Sequence, residues 1–420
     1  MTSGHEAAPP AESDRVEQGD ECGDEFDIAA VVSLASALVK LRTVHEPHAA
    51  EVETPAADLL AGTMRGFGWD VTVTEVAPGR PNVVAEVQGA RPGRTLMFEG
   101  HLDVVTEADP GLWSFDPFGG EVIDGRVRGR GSADMKAGVA AMVHAARAVQ
   151  LGGFDGRILV GALADEEGMM LGAKYFAGDV RAGLWGDIDG VIVCEPQGGE
   201  VCPVAKGAIR IQVELIGAMA HGAMPQMGRN PVPAVGSLLL GLDQIQLAIR
   251  AQTGTHPLLG EFSLTPTVLL AGSPEQINVI PATATLALDI RTVPGVDHRM
   301  LIELITRLAD TLAAESSLHA RTTVIDARPP VDTPVDAPVV QAMFAGHQSA
   351  TGRPGVLGGV PGTTDGTILT RDAGLPTVVY GPGGKWIAHQ ADEYVEVEDI
   401  VISTRAYISA ARHFLTGPRG

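Results

Sequence analysis

The most constraining feature of this chain is a recurring design: a short apolar run ends abruptly in acids or a histidine. Leu96-Met97-Phe98-Glu99-Gly100 runs into His101-Leu102-Asp103, Arg157–Leu163 into Asp165-Glu166-Glu167-Gly168, and Val191-Ile192-Val193-Cys194 into Glu195-Pro196. Runs of this length bounded by turn residues read as buried strands. Between them lie longer segments with helical patterning, at about 26–41, 51–66 and 136–151. Strands alternating with helices predict an α/β chain, here a mostly parallel sheet with helices on both faces. In such a sheet, ligands bind beyond the carboxyl ends of the strands, which is where each run delivers its polar residues.

Further strands are expected at 69–75, 82–88 and 376–380. The pattern changes near Gly207. From there, strands at 208–215, 262–270, 278–291 and 320–327, with helices at 231–251 and 297–315, give the order β-α-β-β-α-β of a ferredoxin-like unit. The expected division is therefore an acidic disordered tail at 1–25, a catalytic domain at 26–206 and 328–420, and an inserted domain at 207–327. In the inserted unit, strand 278–291 is read as continuous.

Composition narrows the partners. Against 30 Lys+Arg stand 52 Asp+Glu, a formal charge of −22. Such a surface disfavours nucleic acid and anionic membranes. No apolar run is read as long enough to span a bilayer, and the N-terminus shows no basic and apolar leader. The three cysteines, Cys22, Cys194 and Cys202, form no CxxC pair and no even framework. A reducing cytoplasm is the expectation.

The polar residues at the sheet ends are His101, Asp134, Glu166, Glu167, Glu195 and His389. Asp134 follows the glycine-rich Gly129-Arg130-Gly131 and enters a long Ala-rich helix, so helix capping is its alternative reading. Three consecutive carboxylates at a strand end repel one another, and a cation explains them better than a solvated loop. Two histidines with several acids make a nitrogen and oxygen site suited to Zn²⁺, Co²⁺ or Mn²⁺. The acids are too many for one zinc and enough for two metals sharing a carboxylate. Asp103, two residues from His101 in extended chain, can reach its imidazole and fix the tautomer.

Five motifs carry a resemblance. They are Gly100-His101-Leu102-Asp103-Val104-Val105, Gly129-Arg130-Gly131-Ser132-Ala133-Asp134-Met135-Lys136, Asp165-Glu166-Glu167-Gly168, Glu195-Pro196 and Ala388-His389-Gln390. In this order they resemble the dimetal amidohydrolase and exopeptidase family of acetylornithine deacetylase, succinyl-diaminopimelate desuccinylase, aminoacylase and glutamate carboxypeptidase. The resemblance implies two divalent metals, zinc first, with His101 on one and His389 on the other. It implies that Asp134 bridges them, that Glu195 and Glu167 complete the two spheres, and that Glu166 is the general acid/base. Asp103 orients His101 in that scheme.

The resemblance extends into the inserted domain, which it casts as a lid and dimerisation domain. Gly217-Ala218-Met219-Ala220-His221-Gly222 is similar to the segment whose histidine binds the developing oxyanion, supplied by the partner subunit in dimeric members. Asn278-Val279-Ile280-Pro281, Asp289-Ile290-Arg291 and Gly362-Thr363-Thr364-Asp365-Gly366 resemble substrate-contacting segments. Asn278, Arg291 and Thr364 are the expected contacts. Thr106 and Gly222 depart from the family's frequent residues without removing a ligand. Glu195, where the family's aminopeptidases and dipeptidases usually carry Asp, implies a deacylase acting on an N-acyl amino acid, as a homodimer. A carboxypeptidase or dipeptidase is the alternative, and a metal-binding protein without catalysis is the reading from another class.

Overall fold

The structure is a computed structural model that describes residues 26–46 and 52–417. The acidic tail expected at 1–25 lies outside the described residues. A mixed sheet of nine strands organises the larger unit. Its centre is parallel. Arg157–Leu163, Thr95–His101, Gly190–Val193 and Thr377–Val379 lie side by side in that order, each parallel to its neighbour. The flanks are largely antiparallel, with Val356–Val360 adding a parallel pairing to Glu200–Ala205. Arg80–Gln88 and Asp70–Ala77 extend one edge, and Glu200–Ala205 with Val331–Asp332 the other. The sheet is thus less uniformly parallel than the sequence pattern predicted: Asp70–Ala77 and Arg80–Gln88 form a hairpin with a direct turn, and the other antiparallel pairs join strands distant in the chain.

Helices cover both faces. Ile28–Val39, Thr54–Gly66, Ala137–Gly152, Pro338–Thr351 and Val397–Leu415 pack on one, and Leu171–Arg181 and Asp365–Ala373 on the other. The four central strands are buried on both sides, which explains their unbroken apolar runs.

Gly100 leaves the chain straight. It stays within strand Thr95–His101, and a Cβ there would stand 2.5 Å from Met135 Cε. Gly138 lets helix Ala137–Gly152 approach the sheet, since its Cβ would fall 2.0 Å from the Cys194 carbonyl oxygen.

Residues from Gly207 to Arg328 build a second, four-stranded antiparallel sheet. Its order is Ser263–Ala271, Thr283–Thr292, Gly207–Ile216 and His319–Arg328, with Val232–Thr253 and His298–Glu315 among its packed elements. That is the ferredoxin-like arrangement. The strand expected at 278–291 is broken into Val279–Ile280 and Thr283–Thr292, with Pro281 between them. By length and composition, Val232–Thr253 is apolar enough to cross a membrane, contrary to the sequence expectation. Here it packs Ala234, Val235, Leu238, Leu242 and Ile249 into the core of the second unit.

Candidate metal and catalytic site

The central strands end in register at one edge. His101 is the last residue of its strand and pairs with Leu163, the last of the next. Two residues beyond Leu163 the chain enters the left-handed region at Asp165 (φ 69°), then reaches Glu166 and Glu167. On the other side, Glu99 pairs with Val193, two residues before Glu195. His389 (φ 65°) lies on the loop after Thr377–Val379. Three adjacent strands and the loop of a fourth thus place five of the six predicted residues at one sheet edge.

Asp134 comes from the opposite wall. It does not cap the helix. The segment Ser132–Lys136 has non-helical backbone at Asp134 and Met135, and the regular helix begins at Ala137. The Asp134 carboxylate is therefore free to face the sheet edge. Its Oδ1 lies 3.3 Å from His101 Nε2, which is also 3.3 Å from Glu195 Oε1. Its Oδ2 lies 3.2 Å from His389 Nε2, which is 3.1 Å from Glu167 Oε1. One carboxylate thus faces two imidazoles, one oxygen to each. Donor atoms of His101, Glu166 and Glu195 fall within 4.8 Å of one another, as do those of Asp134, Glu167 and His389. Glu166 and Glu167, adjacent in sequence, belong to different groups.

The donor set fits a pair of divalent cations. His101 is 1 % exposed, and its buried Nε2 has no hydrogen-bond partner, only the facing carboxylates. Contacts with Asp134 and Glu167 push the His389 imidazole up to about 11, against its burial. His101 rises well above its ordinary value, because Glu195, Asp103 and Asp134 together outweigh its burial. Burial raises the Glu195 carboxyl to about 7, with Asp134 adding to it and His101 opposing. So many carboxylates so deep require positive charge, and neutral imidazoles with divalent cations satisfy that demand.

Asp103 reaches His101 as expected and has a further task. His101 Nδ1 makes its shorter contact, 2.9 Å, with the backbone oxygen of Asp103, and stands 3.4 Å from the carboxylate. The carboxylate is engaged elsewhere. It accepts from the backbone N–H groups of Glu166 and Glu167, both at 3.1 Å. Asp103 thus orients the histidine through its main chain and the Glu166-Glu167 turn through its side chain. Asp165, behind that turn, faces His45 Nδ1 at 3.2 Å and Arg80 Nη1 at 3.1 Å, and Arg80 also pairs with buried Glu53.

Above the acids is a cleft of about 200 Å³, walled by Val360–Thr364 on one side and Gln197, Lys385 and Ala388 on the other. Thr364 lines it as predicted, 4 % exposed and with its hydroxyl unpartnered. The other three predicted substrate residues are not brought there. His221 and Asn278 sit together on a small exposed ribbon, Ala220–His221 paired with Val279–Ile280, where Gly222 N–H donates to the Asn278 carbonyl. Arg291 is held in its own strand by Asp289, at 2.7 Å. All three belong to the second unit, whose site-bearing surface is not folded onto the cleft of the same chain.

Sequence reasoning missed several residues. Lys385 lines the cleft as its one Lys or Arg, its Nζ 2.6 Å from Glu200 Oε2. Glu99 is buried, and burial raises its carboxyl to about 8, with His101 opposing and Glu195 adding to it; Asp365, also buried, faces it and is raised as well. A charged residue inside the apolar run before His101 was the available signal. Glu393, fully buried, accepts from the N–H groups of Ala133 and Asp134 at 3.0 and 3.2 Å.

Comparison with known proteins resolves the family. The profile described as "Peptidase family M20/M25/M40" matches residues 97–413. The chain belongs to that family. It is a hydrolase acting on amide bonds. A relative from Ruegeria sp., named succinyl-diaminopimelate desuccinylase 2, is 32 % identical over 386 residues, covering 88 % of this chain and 91 % of its own. The fold matches an M20 family metallo-carboxypeptidase from Sulfolobus solfataricus with a TM-score of 0.75, at 17 % identity, covering 91 % of this chain and 99 % of the other. It also matches a protein from Bacillus subtilis described as a dinuclear metal binding peptidase from the M20 family, with a TM-score of 0.66 at 16 % identity, over 91 % and 99 % of the two chains.

Proposed function

We propose that this M20/M25/M40 hydrolase removes the acyl group from an N-acyl amino acid, releasing a carboxylate and a free amine. The observation that carries the reading is Asp134, whose two oxygens face two separate His and Glu groups. His101 and Glu195 would hold one cation, His389 and Glu167 the other, and Asp134 would reach both. Zinc suits this donor set, with cobalt and manganese as substitutes. Two bound divalent cations supply Lewis acidity, which lowers the pKa of a water and polarises the amide carbonyl.

Glu166 takes the proton from the attacking water and passes it to the departing nitrogen. Burial holds its carboxyl well above the ordinary range, His101 opposes this, and Glu167 adds to it. Its backbone N–H and that of Glu167 are both held by the Asp103 carboxylate, which fixes the turn from which the two side chains diverge.

The reading treats 207–327 as a lid and dimerisation domain, and His221 and Asn278 as residues that complete the cleft of a second copy. The exposed face of this unit supports it. Strand Ser263–Ala271 is a sheet edge with Val268, Leu269 and Leu270 exposed, and Leu240 and Leu247 are exposed on the long helix. His221 supplies an oxyanion donor there, and Arg291 and Thr364 contact substrate. A cytoplasmic location belongs to the same reading, supported by Cys194 and Cys202, buried and unpaired.

The test is turnover by the metal-reconstituted protein on N-succinyl-diaminopimelate, N-acetyl-ornithine and a panel of N-acyl amino acids. Activity on at least one supports the reading, and none on any refutes it. Carboxypeptidase action is the second reading, favoured by the fold match to the Sulfolobus solfataricus enzyme. Release of a C-terminal residue from dipeptides identifies it.

A further inference from the structure

Glu393 has no part in the ligand scheme, yet it touches both halves of it. It is 0 % exposed. Its Oε1 accepts from Ala133 N–H at 3.0 Å and from Asp134 N–H at 3.2 Å. Its Oε2 accepts from Arg130 Nη1 at 2.5 Å. Its main-chain oxygen accepts from Gly129 N–H at 2.9 Å. One residue therefore closes the 129–134 turn with both its side chain and its backbone. It lies four positions past His389, and the next residue, Tyr394, begins a strand that pairs with Arg126–Arg128. Arg130 is held in turn, 2 % exposed, with its guanidinium 5.1 Å from the Trp113 ring centroid.

We propose that Glu393 is a positioning residue that couples the two cation positions. Its carboxylate bonds the peptide N–H of Asp134 itself, the one side chain that reaches both positions. Its backbone anchors the loop that carries His389. Moving Glu393 displaces Asp134 Oδ1 from His101 and Oδ2 from His389 together. A purely structural ion pair with Arg130 requires no hydrogen bond to Asp134, so the two roles separate. The proposal rests on the two-cation reading above.

The experiment holds the local charge balance fixed in two double variants. Glu393→Gln/Arg130→Met removes the ion pair and keeps an amide oxygen to accept from Ala133 and Asp134. Glu393→Met/Arg130→Met removes both the ion pair and the acceptor. It fills the same volume, a replacement that folded proteins tolerate. Co²⁺ titration by calorimetry and the visible spectrum of bound Co²⁺ are read alongside the melting temperature of the metal-free proteins. The expected result is two Co²⁺ for the wild type and for the Gln/Met form, with affinities within about threefold. The Met/Met form is expected to lose about 10–100-fold at both positions and to change its cobalt spectrum, while melting at a similar temperature. If the two variants bind cobalt alike, or if Met/Met weakens one position alone, the coupling role is overturned. If the wild type binds fewer than two Co²⁺, the two-cation reading fails first and takes the proposal with it.

Discussion

The floor of the cleft and the ribbon carrying His221 and Asn278 are built on opposite principles. On the floor, the ligand candidates leave the ends of buried strands or a turn locked behind them, and their supports are themselves held. Asp103 fixes the Glu166-Glu167 turn, Asp165 and Arg80 back it, and Glu393 fixes Asp134. The ribbon is two residues against two, with His221 exposed and its ring accepting from the nearby Ala223 N–H. The first region is organised for chemistry within one chain. The second lines no part of its own chain's cleft, and in the proposed reading it serves the cleft of a second copy.

The largest effect is expected on the floor. Glu166→Ala should lower kcat by about a thousandfold with bound metal unchanged, because it removes the proton carrier and no ligand. Loss of metal together with activity would instead make Glu166 a ligand. Next comes the ribbon. His221→Ala should lower kcat by about a hundredfold, as removal of an oxyanion donor does. Mixing that variant with Glu166→Ala, each nearly inactive, should restore about a quarter of wild-type activity, since random pairing gives half the dimers one intact site. No recovery would place His221 within its own chain's site or outside catalysis.

A smaller effect sharpens the cleft wall. Lys385→Met should raise KM by about tenfold for an acyl chain ending in a carboxylate, with kcat little changed, and leave N-acetyl substrates unaffected. An equal rise for both would reduce Lys385 to a partner of Glu200.

The smallest effect is centred on the second unit. Burial lowers the His298 imidazole to about 4, with Arg371 adding to it and Asp297 opposing. The unfolded chain therefore binds the proton more readily between pH 6.5 and 4. The stability from keeping this ring neutral is complete above pH 6.5 and is lost as pH falls toward 4. Water reaching the half-buried ring limits it to about 1–2 kcal/mol. Melting of metal-free wild type and His298→Gln across that range should show the variant less sensitive to acid.

Legibility followed the same division. The parallel centre was readable because its strands are largely apolar runs, and three of the four lead directly into ligand candidates. The helix pair Pro338–Thr351 and Val397–Leu415 was not assigned from sequence. Their contact uses small residues instead of an apolar stripe, and a Cβ on Gly346 would lie 2.3 Å from the Ala406 carbonyl oxygen. Glu393 was invisible because its partners Arg130 and Asp134 lie about 260 positions away in sequence. The second task of the Asp103 side chain was hidden for a related reason. Spacing alone put its carboxylate beside His101, and only the fold shows two backbone N–H groups from the next strand's loop competing for it. Motif resemblance reached the residues of the ribbon but carried no information on which cleft they serve.

The most direct test of the account is the metal content and geometry of the zinc-loaded protein by crystallography at the zinc absorption edge. The account predicts two ions per chain, about 3.5 Å apart, with one oxygen of Asp134 on each. A single ion, or two ions that do not share Asp134, would contradict it.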